Sequence, residues 1–137
     1  MTSLIEAVDG IVHEPTQTRD GDGVDLTVTE IYTVENRGQI DFGGGELEPA
    51  DVAPHSKEFH HEDDTYQWWH LNGGLYLIEY NESLSTSAYL QPHVEVLERG
   101  ASHPSLQVKS LPMVPLRVSA AGIAIKENAR VSVIRPV

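Results

Sequence analysis

The stretch LNGGLYLIEYNESLSTSAYLQPHVEVLERG, residues 71–100, decides how the rest of the chain is read. Gly73 and Gly74 mark a turn. Residues 75–80 are a compact apolar and aromatic run closed by Asn81-Glu82, the pattern of a mostly buried strand that ends in a polar turn. Farther on, Val94 and Val96 alternate with His93, Glu95 and Leu97 before Arg99-Gly100 breaks the run. Residues 93–98 therefore read as a second strand, and the two together as a hairpin.

Upstream, Ser3-Leu4-Ile5-Glu6 has the spacing of a capping box and predicts a short helix ended by Gly10. In VDLTVTEIY, residues 24–32, Val24, Leu26 and Val28 alternate with Asp25, Thr27 and Thr29, which predicts a half-buried strand of β-branched residues. Residues 34–64 scatter Gly38, Gly43, Gly44, Gly45, Pro49 and Pro54 through an acidic segment, so short strands and loops are expected there. His70, beside Trp68-Trp69, reads as the cap of an aromatic cluster. Downstream, apolar runs at 94–97, 106–111, 114–118, 123–125 and 131–134 lie between closely spaced turn residues, with no amphipathic helical pattern. Strands at that spacing predict an all-β sandwich or barrel.

A chain of 137 residues suits one domain, here 1–137, with a loop-rich insertion at 34–64 and a β core at 71–135. No apolar run approaches the roughly 18 residues of a membrane span, and no basic-then-apolar leader opens the chain. The absence of cysteine excludes disulfides, thiolate ligands and cysteine nucleophiles. Residues 1–64 carry 16 of the 21 acidic side chains against Arg19, Arg37 and Lys57, whereas the remainder is near neutral. Such a field repels nucleic acid and anionic membrane surfaces, so neither is an expected partner. It suits a soluble protein of a high-salt cytoplasm, where screening relieves the self-repulsion.

Gln17 with GVDLTV at 23–28, GGLYLIEYNE at 73–82, RGASH at 99–103 and GIAIKENARVSVI at 122–134, in that order, resemble the archaeal branch of the dUTPase and dCTP deaminase family. The resemblance implies a distorted jelly-roll or β-clip barrel, assembled as a homotrimer with nucleotide sites between subunits. It also implies hydrolysis of dUTP between its α and β phosphates, with Mg2+ on the triphosphate and a carboxylate that activates water.

Measured against that family, the first motif is present: Asp25 matches the acidic residue that meets magnesium through water. The bland reading of Asp25 is an outward-facing strand residue. The second motif departs. Where the family carries an arginine, two serines and a leucine, this chain has His93, Val94, Glu95 and Val96, and Glu98 precedes Arg99-Gly100. A carboxylate at Glu95 repels a triphosphate and valine donates nothing to it. The third motif's aspartate and tyrosine are missing near 103–111, because no aspartate follows Asp64 and no tyrosine follows Tyr89. Val133 stands where the fourth motif carries glutamine, the family's glycine-rich closing arm is not seen before Val137, and the deaminase glutamate has no counterpart in Pro115-Leu116-Arg117-Val118-Ser119. The candidate nucleotide-binding residues are Asp25, His93, Glu95, Arg99, Gly100 and His103, with Asp25, Glu95 and Glu98 as substitute catalytic carboxylates.

His60-His61-Glu62 ahead of Gly73-Gly74 also resembles the first motif of cupins, in which barrel histidines bind a metal. Adjacent histidines in a strand point to opposite faces, however, and do not chelate together. Solvated histidines in an acidic loop are the plainer reading of His60 and His61. Three functions follow from the sequence. The first is a dUTPase-family paralogue without catalysis that binds a deoxynucleotide or serves in an assembly, as a homotrimer or beside an active relative. The second is a working dUTP diphosphatase that uses substitute carboxylates. The third is a histidine-based metal-binding β-barrel.

Overall fold

The computed structural model describes residues 3–137. In chain order its strands are β1 (Val8–Asp9), β2 (Val24–Asn36), β3 (Asp51–Pro54), β4 (Trp68–Leu71), β5 (Gly74–Tyr80), β6 (Ser83–Leu84), β7 (Ala88–Pro92), β8 (Ala101–Ser102), β9 (Leu106–Val108), β10 (Val114–Val118), β11 (Ile123–Lys126) and β12 (Arg130–Pro136). Helix is confined to a 3-10 turn at Leu4–Ala7 and two short helices, α1 (Glu14–Gln17) and α2 (Val94–Glu98). Among the described residues, no helix is long and apolar enough to cross a membrane.

The organising strand is β2. Its 13 residues span roughly 40 Å at the usual rise of a strand, longer than any one neighbour can flank. It therefore changes partner along its length. Val24 to Thr27 pair with Ile134 to Arg130 of β12, Val28 to Tyr32 pair with Tyr80 to Leu77 of β5, and the far end pairs with β3. Register shifts at Val28/Glu30 and Arg130/Ser132 add local twist at these changeovers. The result is one antiparallel sheet in the order β8-β10-β5-β2-β12-β7-β9 that curls into a half-barrel, with the pairs β11-β4 and β1-β6 beside it. The all-β architecture expected from the sequence is thus present.

Inside the curl lie Leu26, Val28, Ile31, Trp69, Ile78, Leu90, Leu116 and Ile134, all fully buried. Burying one such side chain contributes about 1.5–3 kcal/mol. The alternation in β2 foretold this apolar face, but not that Asp25 and Thr27 on the opposite face are buried as well. That face is covered by α1 and by the turn after β5, through bonds from Gln17 and Glu82.

Several local expectations are corrected. Residues 75–80 and 93–98 form no hairpin: β5 pairs with β2 and β10, and 93–98 is not a strand. The imidazole Nδ1 of His93 accepts the Glu95 N–H at 3.0 Å, capping α2. A single turn of helix then turns Val96 inward and leaves Val94 and Leu97 exposed. The strand of this region is instead β7, in which buried Ala88 and Leu90 alternate with outward-facing Tyr89 and Gln91. At the start of the chain, Ser3 makes no capping bond. The Asp22 carboxylate accepts the Leu4 N–H instead, and the turn ends at Ala7 because β1 pairs with β6. Strand alternation separates His70 from the buried Trp69, and on the exposed side His70 ends an aromatic stack, its ring against His60, which lies on Trp68. Residues 34–64 hold the end of β2, β3 and isolated bridges joined by loops.

Candidate functional site

Asp25 is 1% exposed and is the hub of the polar interior. Its Oδ1 lies 2.5 Å from Arg19 Nε, and its Oδ2 lies 3.1 Å from Arg130 Nη1 and 3.4 Å from His93 Nε2. The fold supplies each neighbour. Arg19 follows α1, Arg130 opens β12 opposite Thr27, and His93 leaves β7, which pairs with the other edge of β12. Because His93 Nδ1 accepts the Glu95 N–H, its proton sits on Nε2 and faces Asp25, short of hydrogen-bonding geometry. A buried carboxylate is costly unless cations and donors answer it, and here they come from this chain alone.

A second buried carboxylate has no cation. Glu82 Oε1 accepts the Thr27 N–H at 2.8 Å, while Oε2 accepts the Thr27 hydroxyl and Gln17 Nε2. Burial pushes its pKa above the ordinary glutamate range, and the bonds from Thr27 and Gln17 oppose that rise. Gln17 itself is fully used, since its Oε1 takes the N–H groups of Val12 and His13 and its Nε2 also reaches the Asp25 carbonyl. Asn81 Nδ2 continues the network to the Thr27 hydroxyl and to Asn128.

The second-motif segment lies on α2. Glu95 pairs with Arg99 at 3.1 Å on the exposed side of the helix, and Glu98 is exposed. Gly100 follows at φ +84°, where a side chain would be strained and its Cβ would come within 2.9 Å of Ser119 Oγ. Two cavities meet at Arg130. One, of about 180 Å³, is bounded by Glu95, Arg99, Lys126 and the apolar side of β11; the other, of about 420 Å³, by His13, Thr16, Lys126, Glu127 and Asn128. The Glu127 carboxylate is already engaged, by Lys57 at 3.3 Å and the Gln67 N–H at 2.7 Å.

His103 belongs to a different network. Its Nδ1–H donates to the Pro104 carbonyl, so Nε2 accepts the Ser132 hydroxyl at 2.7 Å, and Ser132 Oγ in turn accepts the Tyr80 O–H at 2.6 Å. Burial lowers the His103 pKa and raises that of Tyr80. The sequence placed His103 with Asp25; the structure assigns it to the interface between β12 and β5.

A magnesium ion held through water by Asp25 does not fit this geometry, because both carboxylate oxygens already face cations or a ring N–H. Among the described residues, no set of three or more His, Asp or Glu side chains gathers as metal ligands. His60 and His61 do not converge either: their rings stand 6.5 Å apart and edge-on, and both backbone amides donate to Asp64. His60 turns instead toward His70, with 2.7 Å between their Nε2 atoms. Of the residues that build the interior site, Arg19 carried no sequence signal, and Glu82 and Arg130 fell within family-like blocks without being singled out. Gln17 was legible only as part of a motif.

The molecule is thus a curled antiparallel half-barrel with two buried carboxylates, Asp25 on its central strand and Glu82 bonded to that strand at Thr27. No family model matches the chain. It is 31% identical over 119 residues to a probable deoxyuridine 5'-triphosphate nucleotidohydrolase of Methanosarcina acetivorans, and 29% identical over 119 residues to the protein of the same description in Methanosarcina mazei. Each match covers 80% of this chain and 66% of the relative, so the chain spans about two thirds of their length. The chain belongs to the dUTPase family.

Proposed function

We propose that this chain is a non-catalytic member of the dUTPase family. In this reading it holds a deoxynucleotide without hydrolysing it, in a homotrimer or in a mixed trimer beside an active relative, in a high-salt cytoplasm. The observation that carries it is the burial of Asp25, 1% exposed and engaged by Arg19 and Arg130, which keeps the first-motif carboxylate from a metal-bound water. Binding is supported by a local reversal of charge. In a chain of net charge −12, Arg99, Lys126 and Arg130 converge on two adjoining cavities, an arrangement suited to phosphate oxygens. The lining carboxylates, Glu95 and Glu127, are paired to Arg99 and Lys57.

The description of the Methanosarcina relatives favours a second reading, hydrolysis of dUTP to dUMP and pyrophosphate. Glu95 would then be the substitute base, since it lines the smaller cavity and its helix is exposed. One experiment separates the two. The chain is titrated with dUTP, dCTP and non-hydrolysable analogues in molar salt with magnesium, and pyrophosphate is measured on the same samples. Binding that weakens in Lys126→Ala and Arg99→Ala, without pyrophosphate, supports the proposal. Turnover lost in Glu95→Gln overturns it in favour of the second reading, and absence of any binding overturns its nucleotide half.

A further inference from the structure

We infer that His60 and His70 form a binding site for a late first-row divalent cation such as Zn2+, Ni2+ or Cu2+. Such a site lies outside the nucleotide cavities and does not depend on the function proposed above. It pins the acidic segment to β4.

The geometry points there in three ways. First, the Nε2 atoms of the two rings face each other at 2.7 Å, held by a single shared proton. Second, the carboxylate of Glu58 accepts the Nδ1–H of His70 at 2.7 Å. That bond fixes the tautomer and leaves the His70 Nε2 lone pair pointing at His60, as carboxylates behind metal-bound histidines do. Third, His60 is stacked on Trp68 with centroids 4.3 Å apart and planes 4° from parallel, so its ring is oriented before any ligand arrives.

A metal in place of the shared proton needs bonds of about 2.0–2.1 Å to each Nε2. At angles near tetrahedral the nitrogens then stand roughly 3.4 Å apart. Both rings are solvent-accessible, so they can part by that margin without disturbing the core. Water completes the shell, since the chain supplies two ligands. Imidazole ligands select late transition metals over magnesium or calcium. On binding, the metal replaces the proton on His60 Nε2 while His60 Nδ1 takes one up from solvent, so both rings ligate as neutral imidazoles. Because His60 lies in the acidic segment and His70 on β4, the ion closes a loop that the Glu58 and Trp68 backbone bridge already narrows.

The stacking also supplies the readout. Cu2+ added to the untagged full chain is expected to quench Trp68 fluorescence, saturating at one equivalent. Calorimetry with Zn2+ is expected to give one site per chain. His60→Ala and His70→Ala should each weaken Zn2+ binding by at least about tenfold, and Glu58→Gln by about tenfold or more. Trp68→Phe should abolish most of the quenching while Zn2+ affinity is kept. As Glu58, His60 and His70 are exposed and the half-buried Trp68 keeps an aromatic ring, an unchanged thermal midpoint without metal confirms that the variants are folded. Zn2+ binding that is absent up to millimolar concentration, or that is equal in the wild type and the double histidine variant, overturns the site.

Discussion

Arg19 Nε lies 2.5 Å from Oδ1 of Asp25, joining a side chain that is 31% exposed to one that is 1% exposed. The pair is asymmetric: the arginine can return to water and the aspartate cannot. Replacing Asp25 by Ala frees two arginines that rehydrate, at an expected cost of about 1–3 kcal/mol. Replacing both Arg19 and Arg130 by Ala strands the carboxylate and should cost about 3–5 kcal/mol. Urea denaturation of the two variants checks the order. If the aspartate variant is the less stable, the buried charge is not what the arginines serve.

Glu82 accepts three hydrogen bonds, so Glu82→Gln turns an amide N–H₂ toward donors from Thr27 or Gln17. An expected loss of about 1–3 kcal/mol follows from the unsatisfied pairings. The pH dependence has a definite sign. With its native pKa raised, Glu82 favours the fold below the ordinary glutamate pKa, and that contribution is lost as pH rises through the raised value. The stability gap between wild type and the glutamine variant should therefore be larger at acid pH, as chemical denaturation across pH 4 to 8 would show.

His103 acts in the opposite direction. Its native pKa is lowered by burial, so its contribution is fully present above the unfolded value of about 6.5 and is lost as pH falls through the depressed native value. Thermal melts should show wild type losing stability below neutrality faster than His103→Gln. Parallel pH profiles would refute the assignment of a neutral, hydrogen-bonded imidazole.

The net charge of −12 predicts salt dependence. Most of the acidic groups lie in residues 1–64 and repel one another in dilute buffer, so the melting midpoint should rise between about 0.1 M and molar salt as the screening length falls from about 10 Å to 3 Å. Equal midpoints would count against a high-salt setting.

From the sequence alone came the strands whose signals are local. Val24, Leu26 and Val28 specify the inward face of β2 by alternation, the run after Gly74 specifies β5, and the spacing of prolines and glycines parses β10, β11 and β12. The family motifs could be read without knowing which residues touch. The conformation of 93–98 needed more than alternation, because a side-chain cap from His93 outweighed a weak strand pattern. Long-range polar pairing was decided by the tertiary structure. Asp25 meets Arg130 across 105 residues and Gln17 meets Glu82 across 65, and His60 meets His70 rather than His61. Apolar periodicity is written in neighbouring residues, but the partner of a buried charge depends on where the curled sheet brings distant segments together.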